Sequence, residues 1–340
     1  MQRATALRAL ADLSGKGLEI GPSHAPLAPR AEGYDVEIVD YLDAEGLRRK
    51  YAAAGADVSR VEEVDFIADG RPLPEVIGAR HRYDWIIASH VIEHVPDLVQ
   101  FLRDCEALLK PGGALVLAVP DKRCCFDVLR PVSSVGQVLQ AHLDGRTRPV
   151  PGVLFDDIAY ARRRDASIGW ALDDKRPLEA VQPLDFARTH FEQACASDTY
   201  VDMHCWVFVP SSFRLIIATL AELGQTGLRE AAFRAMGGEF FAVLSREGRN
   251  CQADLGTLAQ AAREEEAEAV LAAGASTVPL GDLATADHET LRRRLAALEH
   301  ELAARSATEA ELRARLAAME GARLWRATAP VRAIIDAVRR

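Results

Sequence analysis

The strongest constraint on the fold is a strand–helix–strand pattern between residues 84 and 120. The segment ALVLAVP (114–120) is continuously apolar, as expected of a parallel strand buried on both faces. DWIIAS (84–89) is a second short apolar run. Pro96 is expected to start the intervening helix, and the Pro-Gly-Gly sequence at 111–113 to end it. The helix carries apolar residues at three- and four-residue spacing: Leu98, Phe101, Leu102, Cys105, Leu108 and Leu109. This order predicts a right-handed parallel crossover.

Three more short apolar runs precede this pair: GLEI (17–20), VEIV (36–39) and VEEVDFI (61–67). The five runs together predict half of an open, mostly parallel α/β sheet. The first residues have no apolar core long enough for a signal peptide. They carry leucines at the spacing of a short amphipathic helix: Leu7, Leu10 and Leu13.

A turn signal near the end of the sheet region is the Gly237-Gly238 pair. It separates LREAAFRAM (228–236) from EFFAVLSR (239–246), which predicts an antiparallel hairpin. The less regular segment 125–208 is expected to be an insertion that forms a cap or substrate lobe.

A helix is predicted before the hairpin, over Ser211–Leu223. Ser211 or Ser212 is expected to cap its start, because serine hydroxyls accept hydrogen bonds from free N–H groups there. Gly224 is expected to end it.

The C-terminal residues differ in composition from the rest. We predict an Ala/Glu-rich helix and a linker over 249–285 and a short coiled coil over 286–320. Through this coiled coil the chain is expected to form a homo-oligomer. A solvated single helix is the alternative for 286–320. Residues 321–340 predict a basic amphipathic tail that contacts either an anionic membrane surface or a partner helix. The coiled-coil pattern consists of leucines in 4-3-4 spacing: Leu291, Leu295, Leu298 and Leu302.

Composition narrows the classes of function. The net charge of −9 disfavours general nucleic-acid binding, which needs a basic face. No run approaches the roughly 18 apolar residues of a membrane-spanning helix, so a cytoplasmic protein is expected. The 6 cysteines form no CxxC pair and no disulfide framework.

Polar residues follow the ends of the predicted strands, where ligands of open α/β sheets bind. Asp40 follows the second strand and suits the hydroxyls of a ribose. Asp69-Gly70, His90 and Asp121 follow the third, fourth and fifth strands. The loop after the first strand reads EIGPSHAPLAPRAEG, with Gly21 as the first of its two glycines, and its prolines are incompatible with a normal helix. A G-x-G-x-x-G pyrophosphate cradle is therefore not expected, and an adenosyl ligand without phosphates fits better.

These segments, in this order, resemble the class I S-adenosylmethionine-dependent methyltransferases. The resemblance lies in LEIGP (18–22), VEIVDYLD (36–43), DFIADG (65–70), YDWIIASHVIEHVPD (83–97) and LLKPGGALVLAVPDKR (108–123). It implies a Rossmann-like, mostly parallel seven-stranded sheet with a terminal antiparallel hairpin, formed by a methyltransferase domain over 1–248.

The resemblance also implies a site for S-adenosylmethionine. Glu19 and Gly21 would approach the methionine part, Asp40 the ribose and Asp69 the adenine. Ser89 and His90 would line the floor. The full predicted set is Glu19, Gly21, Pro22, Asp40, Asp69, Gly70, Ser89 and His90.

The sequence His90-Val-Ile-Glu93-His94 also fits the H-x-x-E-H pattern of a class of zinc peptidases. That pattern needs a helix and a third ligand, whereas here it begins at a strand end and Pro96 marks a later helix start. No metal is therefore expected. A structural role for His94, such as capping the next helix, is favoured.

Methyl transfer to a hydroxyl needs a base within hydrogen-bond reach. The candidates are His90, His94, Asp121 and His204, and they stay unranked. Asp121 is alternatively a partner of Lys122 or Arg123, and His204 is alternatively a buried structural histidine. For Cys124 and Cys125, a role as a structural pair is favoured over a role as a nucleophile.

The coiled coil followed by LWRATAPVR looks like the C-terminal ends of some bacterial enzymes that build surface polysaccharides. We therefore expect O-methylation of a glycan or lipid-linked sugar, with peripheral contact at the inner membrane face. The alternatives are a small-molecule or protein methyltransferase, and a catalytically silent assembly protein that keeps the cofactor fold.

Overall fold

A computed structural model describes residues 2–273 and Arg313, and the described part is an α/β fold. Its strands are β1 (Lys16–Ile20), β2 (Asp35–Asp40), β3 (Phe66–Ile67), β4 (Tyr83–Ser89), β5 (Leu109–Pro120), β6 (Arg162–Arg163), β7 (Glu179–Ala180), β8 (Arg229–Ala235) and β9 (Glu239–Ser245). Its helices are α1 (Gln2–Arg8), α2 (Ala44–Ala53), α3 (Leu73–Ile77), α4 (Leu98–Leu108), α5 (Val135–Leu143), α6 (Pro151–Ala159), α7 (Leu184–Cys195), α8 (Pro210–Glu222) and α9 (Leu255–Ala273).

Seven of these strands form one sheet in the order β3-β2-β1-β4-β5-β9-β8. The first five are parallel, and β9 pairs antiparallel with both β5 and β8. The mostly parallel seven-stranded sheet with a terminal antiparallel hairpin is therefore confirmed. The register places Glu239 opposite Pro120, so the hairpin delivers a carboxylate to the carboxyl end of β5.

The two central strands are buried on both faces, as the apolar runs predicted. Ile86 and Leu117 pack with α4 and α8 on one face. Trp85 and Val116 pack with Leu7 of α1 on the other. Each fully buried side chain of this size stabilises the fold by about 2 kcal/mol.

Gly17 permits the close packing of β1 on β4. A Cβ atom at this position would lie 2.1 Å from the Trp85 ring, so no larger residue fits without displacing the indole. This tight contact positions the carboxyl end of β1 beside that of β4.

Helix α1 confirms the predicted N-terminal helix, although it ends at Arg8. Leu10 and Leu13 follow the helix and still pack against the same apolar cluster as Leu7. The strand predicted over 61–67 was too long, because only Phe66–Ile67 pair with β2.

The crossover helix α4 is present, but its start was misplaced. Asp97, not Pro96, precedes the first helical residue, and its carboxylate accepts the Gln100 N–H at 2.9 Å. The predicted cap by His94 is likewise wrong, because Asp97 occupies that position.

Helix α8 begins at Pro210, one residue earlier than predicted. Neither serine is the N-cap. Ser212 lies in the first turn, where its hydroxyl oxygen accepts the Val209 N–H at 3.0 Å. The Ser211 hydroxyl donates to Glu265 of α9 at 2.8 Å. Gly224 follows the helix with a φ of 66°, as expected of its C-terminal stop.

The insertion 125–208 contains α5, α6, α7 and the ribbon of β6 and β7. Helix α9 fits the Ala/Glu-rich helix predicted after residue 249. The coiled coil at 286–320 and the tail at 321–340 lie outside the described residues. The divisions at 248, 285 and 320 therefore stay predictions. Among the described helices, none is long and apolar enough to cross a membrane.

Candidate functional site

The first loop is anchored by a buried carboxylate. Glu19, in β1, accepts the N–H of Leu27 at 2.6 Å and that of Ala28 at 3.1 Å. Its side chain is 1% exposed, and this burial raises its pKa to about 7 against the opposing effect of the two N–H donors. In this structure the Glu19 carboxylate therefore holds the loop.

No α-helix forms in the described loop 21–34, which contains one short 3-10 turn, Arg30–Glu32. Gly21 has a φ of 63°, which favours glycine, and Pro22 opens a turn closed by the Ala25 N–H at 2.9 Å. A pyrophosphate group needs free N–H donors at a helix start. This loop has neither that helix nor free N–H groups at Leu27 and Ala28. The loop does not fit a dinucleotide.

Asp40 lies at the carboxyl end of β2 and is buried. Its carboxylate accepts the N–H of Ser23 at 3.0 Å and that of Tyr41 at 2.8 Å. Desolvation raises its pKa, against these two donors. A carboxylate offers about four acceptor positions, so two remain for the hydroxyls of a ribose.

The end of β3 combines an apolar and an acidic side chain at the surface. Ile67 is 51% exposed, and Asp69 two residues later pairs with Arg71 at 2.7 Å. That hydrogen-bonded arginine lowers the pKa of Asp69. Gly70 has a φ of 90° and open space around its Cα. An exposed aliphatic side chain suits packing on the face of an adenine ring, and the neighbouring carboxylate suits hydrogen bonding at its edge.

The end of β4 is a network of opposite charges. Arg3 of α1 donates to Ser89 Oγ at 2.7 Å and to Glu239 at 2.6 and 2.8 Å. His90 has a φ of 53°, and its Nε2 lies 3.0 Å from Glu239 Oε2. Its Nδ1 lies 3.3 Å from Glu93 Oε1. These two carboxylates outweigh the cost of burial and raise the pKa of His90 to about 9.

Arg3 and Glu239 are residues that the sequence did not identify as part of the site. The register of the hairpin carried a signal for Glu239, since the residue after the Gly-Gly turn must face the end of β5. Arg3 had no such signal, because its position depends on how α1 packs against the sheet.

A second group lies beside the β4 end, where Glu93, His94 and His204 each place one ligand atom within 4.8 Å of the others. The Nδ1 atom of His94 is 2.9 Å from Asp202 Oδ1, and that of His204 is 2.5 Å from Asp127 Oδ2. The two imidazole rings meet edge to face, with centroids 4.7 Å apart. Both histidines keep Nε2 available.

Asp121 and the neighbouring cysteines are engaged in structural contacts. The Asp121 carboxylate accepts the N–H of Arg123 and pairs with its guanidinium at 2.7 Å, one of the alternatives the sequence left open. Cys124 donates to the Gly237 carbonyl at 2.9 Å. Burial raises the pKa of Cys124 to about 12 and that of Cys125 further above its ordinary value, which disfavours a thiolate nucleophile.

An open cleft of about 570 Å³ lies in the insertion, lined by α5, α6, α7 and the α5–α6 connection. Its lining includes Gln137, Val153 and Phe191, and none of the predicted site residues. The chemistry-bearing residues are instead at the strand ends. Those ends fit an adenosyl group, because the buried Asp40, with two acceptor positions left, is paired in the sheet with the exposed Ile67 of β3.

Among curated proteins, the chain is similar to the ubiquinone biosynthesis O-methyltransferase of Rhodopseudomonas palustris strain HaA2, with 50% identity over 44 residues. That match covers 13% of this chain and 17% of the relative. A similarly named protein of Methylobacterium sp. strain 4-46 is 36% identical over 62 residues, or 18% of this chain and 25% of the relative. The chain thus spans a small part of the length of these relatives.

Solved structures to which the chain is similar include an S-adenosylmethionine-dependent methyltransferase from Mesorhizobium loti. It has 15% identity and a TM-score of 0.36, covering 71% of this chain and 95% of that one. The CcbJ methyltransferase from Streptomyces caelestis has 17% identity and a TM-score of 0.38, covering 73% and 93%.

The family match is more extensive than the matches to individual curated relatives. The family described as "Methyltransferase domain" matches residues 2–176, which include α1 and all five parallel strands. This match spans more than half of the 340 residues. The chain therefore belongs to the methyltransferase domain family.

Proposed function

We propose that this protein binds S-adenosylmethionine at the carboxyl ends of β1 to β4 and transfers its methyl group to an acceptor hydroxyl. The observation that carries the proposal is the buried Asp40 carboxylate at the end of β2, which keeps acceptor positions for a ribose. The sheet order and the family match support the same site.

The charges around the site complement the rest of the cofactor. Ile67 and Asp69 would contact the adenine. Arg3 and Glu239 form a cation and an anion at the end of β4, which suits the carboxylate and ammonium of a methionine. His90 would add a second positive charge next to Ser89.

The cofactor supplies an electrophilic methyl group, so the protein must align the acceptor, exclude water and accept a proton. His90 has carboxylates near both nitrogens, and Asp121 is held by Arg123. His94 and His204 keep Nε2 available, and their Nδ1 atoms are oriented by Asp202 and Asp127. These two histidines are the candidates that support acceptor chemistry best.

The acceptor that we propose is a hydroxyl of a glycan or lipid-linked sugar. This class is supported by the resemblance of the C-terminal sequence to surface-polysaccharide enzymes, in residues outside the described part. The relatives matched over a short segment are named O-methyltransferases, which supports oxygen as the acceptor atom. A cytoplasmic homo-oligomer with peripheral membrane contact through 321–340 belongs to the same proposal.

Calorimetry of the full chain with S-adenosylmethionine tests the cofactor site. The variant Asp40→Asn should bind at least about tenfold more weakly, because one hydrogen bond to a charged acceptor contributes about 1.5–3 kcal/mol. Asp35→Asn, at the exposed opposite end of the same strand, is the matched control and should bind like the wild type. No binding by the wild type, or equal binding by both variants, would refute the proposed site.

Labelled S-adenosylmethionine tests the acceptor class. The full chain is incubated with separate lipid-linked saccharide, quinone and protein fractions, and we expect label in the saccharide fraction. Label in another fraction would contradict the glycan and support the small-molecule or protein alternative. Binding without transfer to any fraction would favour the silent assembly protein.

Deletion of residues 321–340 should reduce co-sedimentation with anionic vesicles, and an unchanged result would contradict membrane contact.

A further inference from the structure

Glu93 is a buried carboxylate without the hydrogen bonds that such a group requires. Its side chain is 0% exposed, and neither carboxylate oxygen has a hydrogen-bond partner among the residues that the structure describes. The nearby His90 nitrogen forms an ion pair at 3.3 Å. Burying a polar group with no hydrogen bond is costly, so buried carboxylates are normally paired, hydrogen-bonded or bound to a metal. His90 thus pairs with one oxygen, Oε1, whereas Oε2 has no polar partner among the described residues, so this oxygen can accept a further cationic partner.

The two histidines nearest Glu93 share a specific arrangement. His94 and His204 each present Nδ1 to a carboxylate, at 2.9 Å and 2.5 Å respectively. Metal-binding histidines are commonly held in this way, because the carboxylate fixes the ring orientation and makes the other nitrogen more basic. The free Nε2 atoms are thus the ones suited to bind.

The surrounding charge also favours a cation. Four carboxylates are concentrated around the histidines: those of Glu93, Asp127, Asp157 and Asp202. Arg130 opposes them, forming ion pairs with Asp127 at 2.6 Å and with Asp157 at 2.9 Å. His90 is the second cationic group. Lys50 and Lys122 also act on Asp202 and Asp127, without a direct ion pair to either. The directly paired groups therefore comprise two positive charges and four carboxylates, a distribution that accommodates a cation.

We propose that Glu93, His94 and His204 form a binding site for a divalent transition-metal ion, of the type of zinc, cobalt or iron. Two imidazole nitrogens and one carboxylate oxygen suit these metals, whereas magnesium and calcium prefer oxygen ligands throughout. The ligand atoms lie within 4.8 Å of one another, and tetrahedral ligands about 2.1 Å from an ion are about 3.4 Å apart, so the side chains would move together by about 1 Å on binding.

The site differs from the zinc motif that the sequence suggested. Residues 91–97 do not form a helix, so His90 and His94 do not share a helical face. His90 is turned toward Glu239 instead. The third ligand comes from His204, which is separated from His94 by 109 residues of intervening chain, most of them in the insertion.

Three protein ligands leave positions open for an oxygen of the acceptor. With their Nε2 atoms on a metal, His94 and His204 would be ligands and not bases. The metal would lower the pKa of a bound acceptor hydroxyl so that its proton passes to water, and the oxygen would then take the methyl group as the cofactor sulfur leaves as a neutral thioether. This role, but not the metal site itself, rests on the proposed function.

The test is a titration of chelator-treated full chain with Co²⁺, followed by visible absorption and calorimetry. We expect one equivalent to bind and to develop ligand-field bands. Glu93→Gln and His94→Gln should each weaken binding by at least about tenfold. His94 is partly exposed, so its variant keeps the test valid if Glu93→Gln fails to fold. Asp202→Asn, at a mostly exposed side chain, should weaken binding less than either ligand variant.

Two controls exclude other binding groups. His190→Gln replaces a surface histidine of α7, and Cys195→Ala removes an exposed free thiol. Both should bind Co²⁺ like the wild type. Binding of well under one equivalent, or equal binding by the His94 and His190 variants, would overturn the proposal.

Separate measurement of S-adenosylmethionine binding distinguishes the two proposals. Cofactor binding without Co²⁺ binding would refute the metal site alone. Co²⁺ binding without cofactor binding would refute the proposed function alone.

Discussion

Two buried glutamates at the sheet show how the same residue type serves two purposes. Glu19, in β1, is 1% exposed and accepts two backbone N–H groups from the first loop. Glu93, just after β4, is 0% exposed and accepts no hydrogen bond within the described part of the chain, where His90 Nδ1 forms an ion pair with it at 3.3 Å. Burial and N–H donors act on Glu19, and the net result is a raised pKa. At Glu93 the surrounding histidines outweigh burial and lower the pKa. The difference indicates that Glu19 holds the loop, whereas Glu93 is available to a ligand.

The largest expected effect comes from Glu19→Ala. This change leaves the Leu27 and Ala28 N–H groups buried without an acceptor, at a cost of about 1–3 kcal/mol each. We expect the free energy of unfolding to fall by about 4 kcal/mol, measured by urea denaturation.

Glu93→Gln is the matched comparison, because it removes charge from an equally buried side chain whose partner is the His90 ring and not a backbone N–H group. Without metal, it should lower the free energy of unfolding by about 2 kcal/mol, about half the loss in Glu19→Ala, because the ion pair with His90 is lost but no backbone donor is left without an acceptor. Equal losses in the two variants would remove the distinction between a structural and a ligand-binding glutamate.

The second expected effect is a pH dependence of the free energy of unfolding that arises from Glu19. Its pKa is about 7 in the folded protein and 4.5 in the reference state. Between these values the folded protein binds more protons than the unfolded chain, so its stability falls as the pH rises from about 4.5 to about 7. The expected loss is on the order of 3 kcal/mol.

Urea denaturation between about pH 5 and pH 8, comparing the wild type with Glu19→Gln, isolates this effect. Other titrating groups are common to both proteins and cancel. The stability advantage of the wild type should shrink as the pH rises and level off above about 7. An advantage that stays constant or grows would show that the two N–H donors dominate over burial.

The smallest effect is expected for Arg3→Ala, at the β4 end. Arg3 is partly exposed and pairs with Glu239, so its loss should cost about 0.5–1 kcal/mol of stability in thermal or urea unfolding. Its effect on S-adenosylmethionine binding should be a severalfold weakening in calorimetry. Arg188→Ala, at an exposed arginine of α7 paired with Asp185, is the control and should leave cofactor binding unchanged. Equal cofactor affinity in both variants would place Arg3 outside the site.

Local pattern was sufficient for most of the framework. Apolar runs identified β1, β2, β4 and β5, because strands buried on both faces tolerate few polar residues. The Gly-Gly turn identified the hairpin. Pattern failed for β3, where only two residues pair with β2. It also misplaced the starts of α4 and α8 by one or two residues, because Asp97 precedes α4 and Pro210 begins α8.

The sequence by itself determined the sheet, its hairpin and the acid at the end of β2, because these depend on periodicity, turn chemistry and spacing along the chain. Only the tertiary structure decided the partners of those residues. His204 meets His94, and Glu239 meets His90, across more than 100 residues of chain. Contacts of this kind are created by packing of the insertion and the hairpin, so no local pattern specifies them. For the same physical reason, only the structure distinguished the satisfied Glu19 from the unsatisfied Glu93.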